Sequence, residues 1–368
     1  MKIGILKEKD DNRVIMVPEL VKKLIDEGNE VVVEKGAGED ALCNDAEYRE
    51  AGATVKNRQD VLSSANFLAT IHPLEKDELR KITKKTMLIS SFQPFISIDS
   101  LQDIAKAGLT ALSLDMIPRI TIAQSMDILS SMASIAGYKA VILAANHLPR
   151  YFPMLTTAAG SIPPAKVLVL GAGVAGLQAI ATAKRLGSVV EAFDTRLAAK
   201  EEVESLGAKF VEVEGARDDK SAGGYAVEQT EEYKNRQKAL ISDHVTKSDA
   251  VITTAQLRGK PAPLLITKEM VEKMRPGSVI IDLASSTGGN CELTKDKKTI
   301  KSGQITIVGN SDLSADVPLH ASQLYGKNIH NFMKLFIKEG KAEFDFDHPV
   351  IKSSCVVFEG EILYGREK

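Results

Sequence analysis

A chain of 368 residues with 44% hydrophobic content exceeds one ordinary core, since cores stop growing near ~250–300 residues, and two domains are expected. Its 47 basic and 49 acidic residues leave a net charge of −2, which excludes an overall field for nucleic acid or an anionic membrane and makes any phosphate binding local. Cys43, Cys291 and Cys355 are an odd, scattered set, which argues against a disulfide framework or a zinc site and fits a reducing compartment.

The start, MKIGILKEKDDNR, has a short apolar core followed at once by charges. It reads as a first strand rather than a secretory signal, so a cytoplasmic location is expected. The strand KIGIL, the helix PELVKKLIDEG and the strand EVVVEKG open an alternation that NFLATI, MLISSF and LTALSL continue, with the helix SIDSLQDIAKAG between the last two. That rhythm predicts a parallel sheet with crossover helices. Residues 121–147 predict one long helix, which Pro149, Pro153, Pro163 and Pro164 end. KVLVLG, SVVEAFD, AKFVEV, DAVITTA, SVIIDLA and QITIVG then supply six strands for a second doubly wound sheet. The uncharged run 167–183 is shorter than the ~20 residues needed to span a membrane, and its three glycines make it a strand, a turn and a helix. After Gly309, DVPLHASQLYGKNIHNFMKLFIKEG predicts a long helix and CVVFEGEIL a short strand that return to the first domain. The expected architecture is therefore α/β, two Rossmann-like doubly wound domains linked by long helices. The first takes 1–135 with 320–368 and the second 136–319.

KVLVLGAGVAGLQAIATAKRLG places Gly171, Gly173 and Gly176 in G-x-G-x-x-G spacing between a strand and a helix. Gly171 serves the tight turn, Gly173 the close approach of a pyrophosphate, and Gly176 helix packing. The helix N-terminus adds N–H donors and partial positive charge. Asp194 lies 23 positions after Gly171 at the end of SVVEAFD, where an acid accepts the adenosine ribose and repels a 2′-phosphate, favouring NAD(H); Arg196 beside it pulls the other way. The candidate nucleotide contacts are Gly171, Gly173, Val174, Ala175, Gly176, Asp194, Thr195, Arg196, Thr254 and Ala255.

The stretch IPRITIAQSMD sets Arg119, Gln124 and Asp127 among apolar residues, with no histidine, lysine or cysteine. Helical spacing puts Gln124, Asp127 and Ser131 on one face, and Pro118 leaves Arg119 on a leading loop. By spacing alone this also fits a helix start whose carboxylate complements the dipole.

PRITIAQSMDILSSMASIAGYKAV, IPPAKVLVLGAGVAGLQAIATAKRLGSVVEAFDTR, GGYAVEQTEEY, VITTAQLRGKPAP and GSVIIDLASSTGGNCELT together resemble the NAD(H)-binding component of proton-translocating nicotinamide nucleotide transhydrogenases, within a superfamily shared with alanine dehydrogenase. The resemblance runs over nearly the whole chain and is weakest in residues 30–110. It implies that Arg119, Gln124, Asp127 and Ser130 surround the nicotinamide, that Tyr225 sits on a loop closing over bound nucleotide, and that Asp194 holds the ribose. It also implies NADP(H) on a separate component, a membrane-spanning subunit, a homodimer, and peripheral attachment to the inner face of the membrane. Hydride passage between two nicotinamides needs proximity and orientation but no proton donor, which suits a cation, an amide and a carboxylate.

An alanine dehydrogenase-like activity is the alternative, and a catalytically silent NAD-responsive binding protein is another. The resemblance to alanine dehydrogenase sets Ile71, Gln93 and Ser286 where those enzymes use lysine, histidine and aspartate, so the acid–base groups are missing. Arg13, which matches their carboxylate-binding arginine, reads here as a surface charge near a chain start, and His72 as a loop residue before a proline or a substitute base. Departures from the transhydrogenase pattern are Ile122 in place of an arginine, Ser286 and Thr287 in place of Glu-Gln, and TTAQLRG in place of TTALIPG. No metal is assigned.

Overall fold

The computed structural model describes residues 1–83, 85–213 and 231–365. Contacts divide the chain into one unit of Met1–Met132 with Ala315–Lys368 and a second of Ala133–Ser314.

The first unit is built on an eight-stranded sheet. From one edge its order is Glu361–Ile362, Cys355–Phe358, Thr110–Ser113, Met87–Ser90, Phe67–Ala69, Lys2–Ile5, Glu30–Glu34 and Thr54–Lys56. The six strands from Thr110–Ser113 to Thr54–Lys56 are parallel, and the C-terminal pair adds antiparallel to Thr110–Ser113. Both faces are covered, as parallel strands require. Ile3, Val33, Phe67, Ile89 and Leu112 face one core with Tyr325, Phe332 and Phe336. Leu68, Leu88 and Ala111, one residue out of phase, face the other with Leu62, Ile104 and Val357. The helix Pro318–Met333 closes the first core: Ser322 accepts the Val14 N–H at 2.9 Å. A Cβ on Gly326 would lie 2.7 Å from Leu20, so the helix seats at glycine distance.

The second unit holds a seven-stranded sheet ordered Lys209–Phe210, Val189–Phe193, Lys166–Leu170, Ala250–Thr253, Val279–Asp282, Ile305–Gly309 and Lys298–Ser302. All pairs are parallel except the last. Strand order reverses between Lys166–Leu170 and Ala250–Thr253. In open sheets of this kind ligands bind beyond the carboxyl ends at that reversal.

The eleven apolar strands expected in the two sheets all form. Thr54–Lys56 and Lys298–Ser302, which lack a continuous apolar run, were not among them because they are edge strands. The predicted single helix over 121–147 is two: a 3₁₀ helix Thr121–Met126 and an α-helix Ile128–His147. Asp127, at ψ 93°, breaks the run. The α-helix, not the run 167–183, is long and apolar enough to cross a membrane by length and composition, with mean hydropathy 1.6 in its best window. Its Ala136, Ala140, Val141 and Ala144 are buried in the core of the second unit.

Candidate functional site

The glycine turn begins where Lys166–Leu170 ends. Gly171 has φ +103°, a left-handed value, and a Cβ there would lie 2.5 Å from Thr254 Oγ1. Glycine is required twice over, by conformation and by space. Thr254 Oγ1 instead donates to the Gly171 carbonyl at 3.0 Å, and its backbone N–H donates to Leu170 O at 2.9 Å. Gly176 lies within the helix Val174–Arg185, and a Cβ on it would meet the Gly171 carbonyl at 1.8 Å. The helix therefore rests on the turn with no room for a methyl group.

Gly173 is different. Its φ of −76° is open to any residue, and a Cβ there would meet nothing within 4 Å. The space it keeps clear lies outside the protein, at the N-terminus of a twelve-residue helix whose first turn no side chain caps. Val174 and Ala175 occupy that turn, the former 45% exposed. Uncapped N–H donors beside a methyl-free surface fit the pyrophosphate of a dinucleotide. The position of this end is fixed from behind by Gly137, where a Cβ would lie 2.1 Å from the Ala175 carbonyl.

Asp194 follows Val189–Phe193. Its Oδ2 accepts from Ala172 N of the turn at 2.8 Å, and its Oδ1 accepts from Arg196 N at 2.8 Å. The carboxylate thus ties the end of the second strand to the loop after the first. The Arg196 guanidinium covers it bidentately, Nε to Oδ1 and Nη2 to Oδ2, both at 2.9 Å. Thr195, between them, is half-buried.

On the far side of the turn, Ala255 is held by Asn290, which accepts its N–H at 3.0 Å and donates to its carbonyl at 2.8 Å. Asn290 in turn hangs on Asp282. That fully buried carboxylate accepts from the N–H groups of Ala284, Asn290 and Cys291 and from Thr294 Oγ1, at 2.7 to 3.0 Å. Sequence reasoning missed Asp282, Asn290 and Gly137. The signal for the first two was a lone acid ending a strand before a glycine-rich turn, as at Asp194.

In the first unit, Arg119 and Gln124 are exposed. Asp127 is partly buried and caps the helix Ile128–His147: its Oδ1 accepts the Ser130 N–H at 3.0 Å and its Oδ2 the Ser130 hydroxyl at 2.6 Å. Asp127 and Ser130 are thus brought together, whereas Ser131 meets Asp127 only through the backbone. Asn328 and Asn331 each donate to the Ser125 carbonyl, at 2.9 and 3.1 Å, and anchor the loop to Pro318–Met333. Ile122 is 56% exposed. Tyr225 lies outside the described residues.

Arg13 is not the surface charge that its place near the chain start suggests; it is 4% exposed. Its Nε donates to Asp11 Oδ1 at 2.9 Å. Asp11 Oδ2 is also 2.8 Å from His72 Nε2. Burial pushes the Asp11 carboxyl up, but hydrogen bonds from His72 and Arg13 outweigh it and hold it below the usual carboxylate range. The bond to Asp11 raises His72. Glu8, which accepts the N–H groups of Ile71 and His72 at 2.6 and 3.2 Å, is pushed up to about 7 by burial. An arginine satisfied by an internal carboxylate is occupied as a holder of a substrate carboxylate. At the alanine dehydrogenase acid–base positions Ile71 is buried, and Gln93 and Ser286 are exposed.

Residues 4–136 match the N-terminal domain and residues 140–365 the C-terminal domain of the family described as Alanine dehydrogenase/PNT. The chain is 44% identical over 376 residues to the first of the separately encoded pieces of the NAD(P) transhydrogenase alpha subunit of Rhodospirillum rubrum, covering 99% of this chain and 98% of that one. It is 40% identical over 366 residues to the NAD(P) transhydrogenase subunit alpha of Haemophilus influenzae, covering 98% of this chain and 71% of that one. The solved transhydrogenase of Sinorhizobium meliloti aligns with TM-score 0.89 and 41% identity over 98% of this chain and 100% of the other. A solved L-alanine dehydrogenase aligns with TM-score 0.81 over 99% and 97% of the two chains, but at 22% identity it speaks for the fold alone.

Proposed function

The chain belongs to the Alanine dehydrogenase/PNT family, and from that premise we propose that it is the NAD(H)-binding component of a proton-translocating transhydrogenase, exchanging hydride directly with NADP(H) held on a separate component. The observation that carries this reading is the pairing of a complete dinucleotide cradle with missing acid–base groups. Gly171, Gly173, Gly176 and Asp194 suit a dinucleotide, while Ile71, Gln93 and Ser286 replace the proton-transferring side chains that oxidation of an amino acid would require.

In this reading the uncapped helix start at Val174 and Ala175 receives the pyrophosphate, Asp194 the adenosine ribose, and Thr254 and Ala255 border the nucleotide. Arg119, Gln124, Asp127 and Ser130 orient the nicotinamide, with Tyr225 closing over it. The dinucleotide supplies the hydride, and the chain supplies orientation, worth roughly 7–11 kcal/mol in a well-aligned pair. No proton moves with the hydride, so neither an acid nor a base is needed at the loop.

Its relatives are named as alpha subunits, which supports a multi-subunit setting. We propose a homodimer attached peripherally, through a membrane-spanning subunit, to the cytoplasmic face. One charge crossing 100 mV is worth about 2.3 kcal/mol, which shifts a near-thermoneutral exchange roughly fiftyfold. The test mixes this chain with an NADP(H)-binding transhydrogenase component, NADPH and an NAD+ analogue, with pyruvate, ammonium and NADH run alongside. Rapid analogue reduction that requires both proteins supports the proposal. Pyruvate reduction by this chain alone would overturn it and direct attention to His72.

A further inference from the structure

We infer that the Arg196 guanidinium is an internal occupant of the ribose position, displaced when a dinucleotide binds, and that it sets how strictly the site prefers an unphosphorylated ribose. The inference rests on the cradle being an NAD(H) site and assigns Arg196 a role in its specificity.

A carboxylate offers about four lone-pair positions. Around Asp194 four donors already take them: Arg196 N and Nε on Oδ1, and Ala172 N and Arg196 Nη2 on Oδ2, all at 2.8 to 2.9 Å. A ribose diol brings two hydroxyl donors and needs two of those positions. The Ala172 N–H belongs to the glycine turn and the Arg196 N–H to the loop that leaves the strand, so neither is released without unmaking the cradle. The guanidinium is a side chain on a flexible stem and can leave. Its exposure agrees with that order: the Asp194 side chain is 8% exposed beneath an Arg196 side chain that is 29% exposed.

Two consequences of opposite sign follow. For NADH, the departing guanidinium gives up a bidentate, charge-assisted pair, so Arg196 weakens binding. For NADPH, the 2′-phosphate meets the Asp194 carboxylate, and a guanidinium tethered two residues away offsets that repulsion, so Arg196 strengthens binding. One side chain thus narrows the preference between the two nucleotides from both sides. The pair also stabilises only the nucleotide-free protein.

The test titrates NADH and NADPH into the full-length wild type, Arg196→Ala and Arg196→Lys, following nucleotide fluorescence, with melting curves taken with and without NADH. Arg196→Ala is expected to bind NADH about three- to tenfold tighter, as release of a partly exposed pair predicts, and NADPH about tenfold weaker. Arg196→Lys keeps the charge without the fork, so it should tighten NADH while leaving NADPH near the wild-type value. Arg196→Ala should melt lower than wild type when free and show a larger rise on adding NADH. A purely structural role would lower both curves alike and overturn the inference, as would weaker or unchanged NADH binding by both variants. Wild type that fails to bind NADH would bring down the functional reading and this inference together, whereas wild type that binds beside an impaired Arg196→Ala brings down only the inference.

Discussion

In the second unit the candidate site is built from close approaches, with the Gly171 carbonyl, Thr254 and the Ala175 carbonyl all lying nearer their neighbours than a methyl group allows. In the first unit, Arg119, Gln124 and Ile122 stand in solvent, held indirectly by the Asp127 cap and by two asparagine bonds to one carbonyl. The cradle is shaped before anything binds, so altering it disturbs folding and binding together. The loop is positioned at its base and open at its tip, so altering the tip touches only what it meets.

The largest effect expected is at Gly176→Ala, where the new methyl would overlap the Gly171 carbonyl. Chemical denaturation should show a loss of about 3 kcal/mol, with NADH binding lost as well; a stable variant would mean the helix is free to shift. Gly173→Ala lies three residues away in open space. Its stability should stay within about 0.5 kcal/mol of wild type, while NADH affinity falls by at least roughly tenfold, about 1.4 kcal/mol. Equal losses in both would show that the cleared space serves packing instead.

The loop should behave the other way. Gln124→Asn is expected to leave melting and NADH affinity unchanged and to slow transfer about tenfold, so a binding defect of the same size would undo its orienting role. Asp127→Ala removes a cap and should cost about 1 kcal/mol of stability, readable in denaturant. No change there would mean that the helix start is held by the asparagine bonds alone.

The buried cluster beneath the first unit's strands gives the smallest and most conditional effect. Glu8 titrates at about 7 in the fold against an ordinary 4.5, because it is buried. The folded chain keeps this proton after the unfolded chain has lost it, so the stability it contributes below pH 4.5 is lost as pH rises through 7. Unfolding at pH 4.5 and 7.5 should show a smaller loss for Glu8→Gln than for wild type, and identical slopes would remove Glu8 as the cause.

What the sequence made legible follows the same contrast. Period, punctuation and glycine spacing are local, so the strands and the turn at Gly171 could be read directly. The cap at Asp127 ends one helical run and starts another without changing its apolar character, so periodicity passed over it. Arg13 looked like surface because its partner Asp11 lies in a charged stretch, and only the fold buries them as a pair. Asp194 was found by distance from the glycines, but the guanidinium over it is a tertiary fact. Asp282 and Asn290 escaped because their partners are mainly backbone N–H and C=O groups.

The return of the tail to the first unit also has a consequence for biosynthesis. The second unit ends at Ser314, so it is complete before the helix that carries Tyr325, Ile329 and Phe332 into the first core and the strand Cys355–Phe358 have been translated. At about 5–20 residues per second, the ribosome needs several seconds more to deliver them. During that interval the nascent nucleotide-binding unit can fold while the earlier-made strands of the first unit present uncovered apolar faces. It is those strands, older but unfinished, that a chaperone bound to the nascent chain would be expected to shield.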